Sequence, residues 1–258
     1  MPTFLFNEII FGPVKSRRLG VSLGVNLLPE DYKYCTYNCL YCECGWTLKS
    51  DTKVKLHTRE EIKQTLEAKL HEMLSNNSPP DNITFAGNGE PTIHPEFAEI
   101  IDDTIKLRDK YFPKAQISVL SNATQIHKPN IVNALLKVDQ NILKLDSAID
   151  KTYQIINQPV ANITVRTLVD RLKVFKGNLS IQTLFIKGNY KGEYFDNTTV
   201  EEVNKWIELL QEIKPKNVMI YPIARDTPHS DLEKIDTDTL NSIGEKIRKL
   251  GFNVNIYN

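Results

Sequence analysis

Strand-like and helix-like segments alternate along this chain from residue 21 to residue 257. VSLGVNLL (21–28) is apolar and β-rich. TREEIKQTLEAKLHEML (58–74) repeats Ile62, Leu66, Leu70 and Leu74 at helical spacing, and Thr58 with Glu61 is placed for a capping box. Further strands are expected at 82–87, 117–123, 141–148, 179–188, 217–224 and 252–257. Helices are expected at 95–111, 129–138, 162–175, 200–213 and 237–250. Alternation with short connections predicts a parallel sheet with helices packed outside it. Six principal βα repeats are too few to close an eightfold barrel. The expected fold is therefore α/β, an open partial (β/α)6 TIM-like barrel. Function in such sheets collects on loops at the carboxyl ends of strands. No long Pro- or Ser-rich linker divides the chain. Residues 1–258 read as one domain, with an N-terminal extension (1–20), a barrel core (21–224) and a C-terminal helix and strand (225–258).

Composition narrows the partners. Lys+Arg and Asp+Glu both number 32, so the formal net charge is zero. That removes the electrostatic footprint of a strong nucleic-acid binder, while leaving room for a local patch. The first residues are apolar, but Glu8 interrupts them and no basic segment precedes them. No run of about 18 apolar residues occurs, so no membrane partner is expected. These features point to the cytoplasm, where disulfides are rare.

All four cysteines fall within YCTYNCLYCEC (34–44), as Cys35, Cys39, Cys42 and Cys44. They follow the first strand, where a βα loop belongs. Three readings compete. A disulfide fits poorly with the compartment. A structural zinc site usually draws on two separated Cys pairs, and a zinc-containing binding or scaffold protein would make no radical. An iron–sulfur cluster is held by Cys thiolates, and three on one loop could grip three corners of a cubane.

The spacing Cys35-x3-Cys39-x2-Cys42 resembles the signature of the radical S-adenosylmethionine (radical SAM) superfamily. Tyr41, just before the third cysteine, stands where that family carries an aromatic ring beside the adenine. FAGNGEPTIHP, with Gly87, Asn88, Gly89, Glu90 and Pro91, is similar to the family's Gly-Gly-Glu-Pro segment, whose backbone receives the methionine amino group. Asn88 departs from the pattern by replacing a glycine. FGPVKSRRLGVSLGVNLLP and IYPIARDTP resemble one branch, the stand-alone Fe–S oxidoreductases grouped with wyosine-type tRNA-modifying enzymes. Only Cys44 remains beyond the motif, so this chain cannot supply a complete second cluster, and that puts wyosine chemistry in doubt.

The resemblance implies a [4Fe–4S] cluster on Cys35, Cys39 and Cys42, with S-adenosylmethionine on the open iron. It also implies an external one-electron reductant of the flavodoxin or ferredoxin type. A 5′-deoxyadenosyl radical would then abstract hydrogen from a small-molecule, peptide or RNA substrate. Other strand ends supply candidates for the cavity. Lys144 and Asp146 share a face by alternation, and Asp146 or Ser147 is placed to contact ribose or substrate; a structural Lys–Asp pair is the alternative. Ser121 and Asn122 resemble cofactor-facing positions of the family, against an ordinary turn. Gln182 is a polar residue in an apolar run. Arg225 could bind an anionic substrate or pair on the surface. Lys15, Arg17 and Arg18 form a compact basic cluster suited to a phosphate, a carboxylate or an RNA backbone, or simply to solvent. Cys44 is either a hydrogen donor to a substrate radical, an extra ligand, or a bystander.

Overall fold

The computed structural model describes residues 4–47 and 54–258. Strands β2 (Gly20–Val25), β3 (Asn82–Phe85), β4 (Gln116–Ser121), β5 (Gln140–Lys144), β6 (Ser180–Tyr190), β8 (Asn217–Pro222) and β10 (Val254–Ile256) run parallel in that order. β1 (Ile10–Ser16) pairs antiparallel with β2, while β7 (Glu193–Asp196) and β9 (Leu232–Lys234) pair antiparallel with the outer half of β6. The sheet path runs from β1 to β10 and its two ends are not hydrogen-bonded to each other. It is an open, mostly parallel sheet with flanking helices, as the alternation predicts. The stretch 1–20, read as an extension, contributes β1 to the sheet itself.

The helices are α1 (Arg59–Ser75), α2 (Phe97–Tyr111), α3 (Pro129–Lys137), α4 (Asp150–Asn157), α5 (Val165–Leu172), α6 (Val200–Ile213) and α7 (Thr237–Lys249). The Thr58–Glu61 capping box forms as expected. On α1 the buried stripe is Ile62, Leu66, Leu70 and Met73, whereas Leu74 is 51% exposed. A strict four-residue repeat drifts off one face of a helix with 3.6 residues per turn, so Met73 takes the place expected for Leu74. The helix expected at 162–175 begins only at Val165 and ends in a 3-10 turn over Lys173–Phe175. α4 is an element the alternation did not predict. α1 and α2 are joined by a fork of Arg59 on Asp103, at 2.6 and 2.9 Å.

Carboxyl ends of the parallel strands converge on one edge. The segment after β2, residues 26–47, lies across this edge and carries all four cysteines.

Candidate functional site

Successive parts of the cysteine segment are tied to the turn after β3, the end of β4 and the end of α4. Tyr34 N–H donates to Asn88 O at 2.8 Å and Glu90 N–H to Tyr34 O at 3.2 Å, which joins the segment to the turn after β3. Thr36 meets Thr124 and Asn122 through its hydroxyl, at 2.7 and 2.9 Å, at the end of β4. Asn38 and Leu40 N–H groups donate to Asn157 O and Ile156 O, at 3.0 and 2.9 Å, at the end of α4. Tyr37 and Tyr153 share a buried hydroxyl–hydroxyl bond of 2.7 Å. A segment fixed at two strand ends and one helix end holds its thiols in place before any ligand arrives.

The thiols of Cys35, Cys39, Cys42 and Cys44 are all free. Asn122 Nδ2 lies 3.6 Å from Cys35 Sγ, and Asn157 Nδ2 donates to Cys39 Sγ at 3.4 Å. Cys44 Sγ donates to Gly87 O at 3.3 Å. Burial pushes the Cys35 thiol up to about 12, against the opposing pull of Lys33. The Cys39 thiol is also raised by burial. Cys42 is drawn down to about 5, chiefly by the neighbouring Cys44 thiol and then by Lys33.

Lys33 and Asn157 are the residues that sequence reasoning missed, and Lys33 stands behind the thiols. Its side chain is 2% exposed, and its ammonium donates to Gly45 O at 3.0 Å. Burial disfavours the charge, but Cys42, Cys35 and Cys39 together outweigh burial and hold it above its ordinary range. Among the described residues no carboxylate forms an ion pair with Lys33. A lysine is ordinarily exposed, so nothing in the pattern marked this one.

The GNGEP segment is built for close approach. Gly89 sits at φ +144°, and a Cβ there would collide with the Tyr34 carbonyl. Gly87, at φ +133°, would collide with Asn26. Asn88 turns away from the cavity. Its amide group bonds both Phe6 N and Phe6 O, at 2.9 and 2.8 Å, and also Pro29 O at 2.8 Å. Its carbonyl is taken by Tyr34, so Asn88 braces the N-terminal segment rather than lining the cavity.

Glu90 is buried and accepts from Thr92 N, Thr92 Oγ1 and Ser121 Oγ on one oxygen, at 3.1, 2.5 and 2.8 Å, and from Asn122 N on the other at 2.6 Å. A carboxylate offers about four acceptor sites, so these bonds use its capacity. Glu90 and Ser121 therefore set the position of Asn122, and through it that of Cys35.

Beyond β5 two candidates diverge. Asp146 Oδ2 accepts from Tyr41 OH and, at 2.7 Å, from Asn157 Nδ2, while Oδ1 accepts from Leu184 N at 3.0 Å. Lys144 Nζ donates to Tyr41 OH at 2.7 Å and stands 3.4 Å from Asp146. Burial, then Asp146, pushes the Tyr41 hydroxyl well above its usual range. Burial opposes the Lys144 ammonium, yet Asp146 and Tyr221 raise it overall. Asp146 thus couples Tyr41 to Cys39 through Asn157. Ser147 is a correction: it lies in the loop beyond β5 and points to the helix layer, where Oγ bonds Glu202 of α6 at 2.9 and 3.1 Å.

Gln182 stands beside Lys144 on the same face of the sheet, and its Oε1 accepts from Arg18 and Tyr221 at 3.2 Å each. A cavity of about 980 Å³ opens beside Tyr41 and Cys42, with Lys15, Arg17, Arg18 and Arg225 on its wall. Arg225 pairs with Glu43 at 2.6 Å across its mouth, the surface pairing that the sequence offered as an alternative.

A donor set can be judged against the group it would hold. A single tetrahedral ion asks ligands to close on one point, and among the described residues no three His, Cys, Asp or Glu side chains do so. A cubane asks for thiolates on separate irons, and Cys35, Cys39 and Cys42 carry free thiols on one anchored segment. The buried Lys33 ammonium complements the negative charge such a group carries. The residues present fit an iron–sulfur cluster.

Residues 30–189 match the family model of the radical SAM superfamily. A UPF0026 protein of Methanocaldococcus jannaschii is 31% identical over 216 residues, covering 80% of this chain and 61% of that protein. A Brachyspira hyodysenteriae protein named GTPase Obg is 30% identical over 244 residues, which make up 93% of this chain but only 33% of the longer protein. The chain thus spans between a third and two thirds of these relatives. Among solved structures, a radical SAM methyltransferase from Sphaerobacter thermophilus superposes with a TM-score of 0.68 at 14% identity, over 92% of this chain and 65% of that one. Streptococcus suis SuiB bound to S-adenosylmethionine gives 0.64 at 14% identity, over 91% and 50%. An archaeal TYW1 gives 0.55 at 14% identity, over 88% and 71%. At such identities these structures speak to the fold alone, whereas the family match covers more than half of the chain and includes the cysteine segment. The chain belongs to the radical SAM superfamily.

Proposed function

We propose that Cys35, Cys39 and Cys42 hold a [4Fe–4S] cluster and that the adjoining cavity binds S-adenosylmethionine together with a small-molecule or peptide substrate. The observation that carries this reading is the three-point anchoring of the cysteine segment with Lys33 buried behind it. When bound and reduced by an external one-electron donor, the cluster supplies the electron that cleaves S-adenosylmethionine to methionine and a 5′-deoxyadenosyl radical.

The chain's own residues bind, orient and shield. Gly87 and Gly89 let the turn after β3 close tightly against Asn26 and Tyr34 of the cysteine segment. Tyr41, held by Asp146 and Lys144, fixes one wall beside Cys42. Asn122 and Asn157 donate toward Cys35 and Cys39, which orients those sulfurs and stabilises their thiolates. Cys44 has its thiol on Gly87 O and stands outside the ligand set in this reading.

Anaerobic reconstitution with iron and sulfide, followed by dithionite and S-adenosylmethionine, tests it. Cys35→Ser, Cys39→Ser and Cys42→Ser should each lose the brown cluster absorbance and the formation of 5′-deoxyadenosine, while Cys44→Ser keeps both. A protein that stays colourless, or that loses its cluster only with Cys44→Ser, overturns the reading.

A further inference from the structure

The cavity beside Cys42 has an unbalanced wall. Its volume of about 980 Å³ is near the top of the ~300–1,000 Å³ range usual for one enclosed ligand, which leaves space for a second molecule. On the reading above, the side near Tyr41 and Cys42 takes the cofactor. The other side is made by the β1–β2 hairpin and the end of β8, and there the charges do not cancel. Arg225 is neutralised by Glu43. Lys15 has no ion-pair partner among the described residues, whereas the Arg17 guanidinium is already engaged by the main-chain carboxyl oxygen of Asn258 and contributes less. Against these cations the wall sets one carboxylate that makes no ion pair, Asp226.

Arg18 is the most informative of them. Its guanidinium lies 4.7 Å from the centre of the Tyr221 ring, and Nη1 donates to Gln182 Oε1 at 3.2 Å. The ring and the neutral amide fix the plane of the fork without neutralising it. A half-buried guanidinium costs free energy unless an anion meets it, and its planar donors match a carboxylate or a phosphate. Phe4, Phe6 and Ile223 make the neighbouring surface apolar.

We propose that this wall is a substrate subsite for an anionic group, carboxylate or phosphate, on a small molecule with an apolar body. The group is received by the free edge of Arg18 with Lys15 and Arg17 around it. The shape favours a small molecule over RNA: Lys15 and Arg18 border one concave cavity in a chain of zero net charge, whereas a nucleic-acid backbone asks for a basic track along the surface.

The test is anaerobic calorimetry of the cluster-loaded full chain, saturated with S-adenosylmethionine. The probes are phenyl phosphate, benzoate and the neutral benzamide. At least one anion should bind, with benzamide tenfold weaker or more, and the tighter anion names the group. Lys15→Gln and Arg18→Gln should each weaken that anion by about tenfold, the order expected for one charge-assisted hydrogen bond. Lys15 is exposed and makes no ion pair, so its substitution reads the subsite even if Arg18→Gln folds poorly. Benzamide binding as well as the anions, or anion binding unchanged by Lys15→Gln, overturns the subsite. Displacement of phenyl phosphate by transfer RNA with a steep salt dependence overturns the small-molecule assignment. 5′-Deoxyadenosine formation, measured separately, keeps a failed subsite distinct from a failed radical chemistry.

Discussion

Lys33→Met should act in opposite directions with and without the cluster. In the iron-free protein the ammonium is a buried ion that donates to Gly45 O at 3.0 Å and faces the Cys42 sulfur. Without the ammonium Cys42 takes up a proton, so neither charge stays buried, and replacing a buried ion pair by uncharged groups of similar volume is neutral or stabilises by about 1–4 kcal/mol. A gain of about 2 kcal/mol would raise Tm by roughly 4–8 °C in a chain of this size. With iron bound, the same substitution removes a charge-assisted interaction with the thiolates, of order 2 kcal/mol. The reduced cluster is the more negative, so it loses more. A difference of about 1.4 kcal/mol between the two redox states lowers the one-electron potential by roughly 60 mV. Scanning calorimetry of iron-free and loaded protein measures the first effect, and an anaerobic redox titration followed by electron paramagnetic resonance measures the second. Lys33→Arg keeps the charge and should hold the potential nearer the wild-type value. A drop in Tm of equal size in both forms, or a potential that rises, refutes the electrostatic argument and makes Lys33 a packing residue.

Three further outcomes follow from the geometry. Gly89→Ala forces Cβ against the Tyr34 carbonyl at a φ that other residues rarely adopt; a cost of about 3 kcal/mol is expected, with loss of bound iron, measured by denaturant midpoint and iron content. Ser147→Ala leaves the buried Glu202 short of a donor and should cost about 1–3 kcal/mol while leaving iron content and S-adenosylmethionine affinity unchanged; lost affinity at full stability would return Ser147 to the cavity. The Arg59 fork holds the Asp103 carboxyl below its ordinary value of 3.8. A depressed carboxylate stabilises above its unfolded value and loses that contribution as pH falls through the folded one. Asp103→Asn should therefore lower Tm at pH 7, with the gap to wild type closing below pH 3.8; a gap independent of pH would rule the pair out.

Much of the fold was legible because helix and strand periods differ. α6 falls at the expected residues, 200–213. What escaped had local physical reasons. β1 contains Gly12 and Pro13, which argue against a strand, yet it is an edge strand whose register shifts between Phe11 and Val14, where a proline is tolerated. α4 spans only 8 residues, too few for a periodic stripe to stand out. Missing α4 also hid Asn157, which joins Cys39 to Asp146. The cysteine segment was readable from spacing alone. The roles of Asn88, Glu90 and Ser147 were not, because sequence does not say whether a polar side chain is spent on the backbone, on a neighbour or on a ligand.

The two margins of the sheet never share a backbone ladder. They meet through the reach of the β1–β2 hairpin, where Arg17 touches Asn258 and Arg18 touches Gln182 and Tyr221. Such a seam can part by rotating two side chains, with every strand still paired to its neighbours. A closed cylinder would have to break main-chain bonds to admit anything from the flank. At this flank the cavity is bounded by arginine side chains rather than by main-chain bonds, so the wall that faces solvent there carries positive charge.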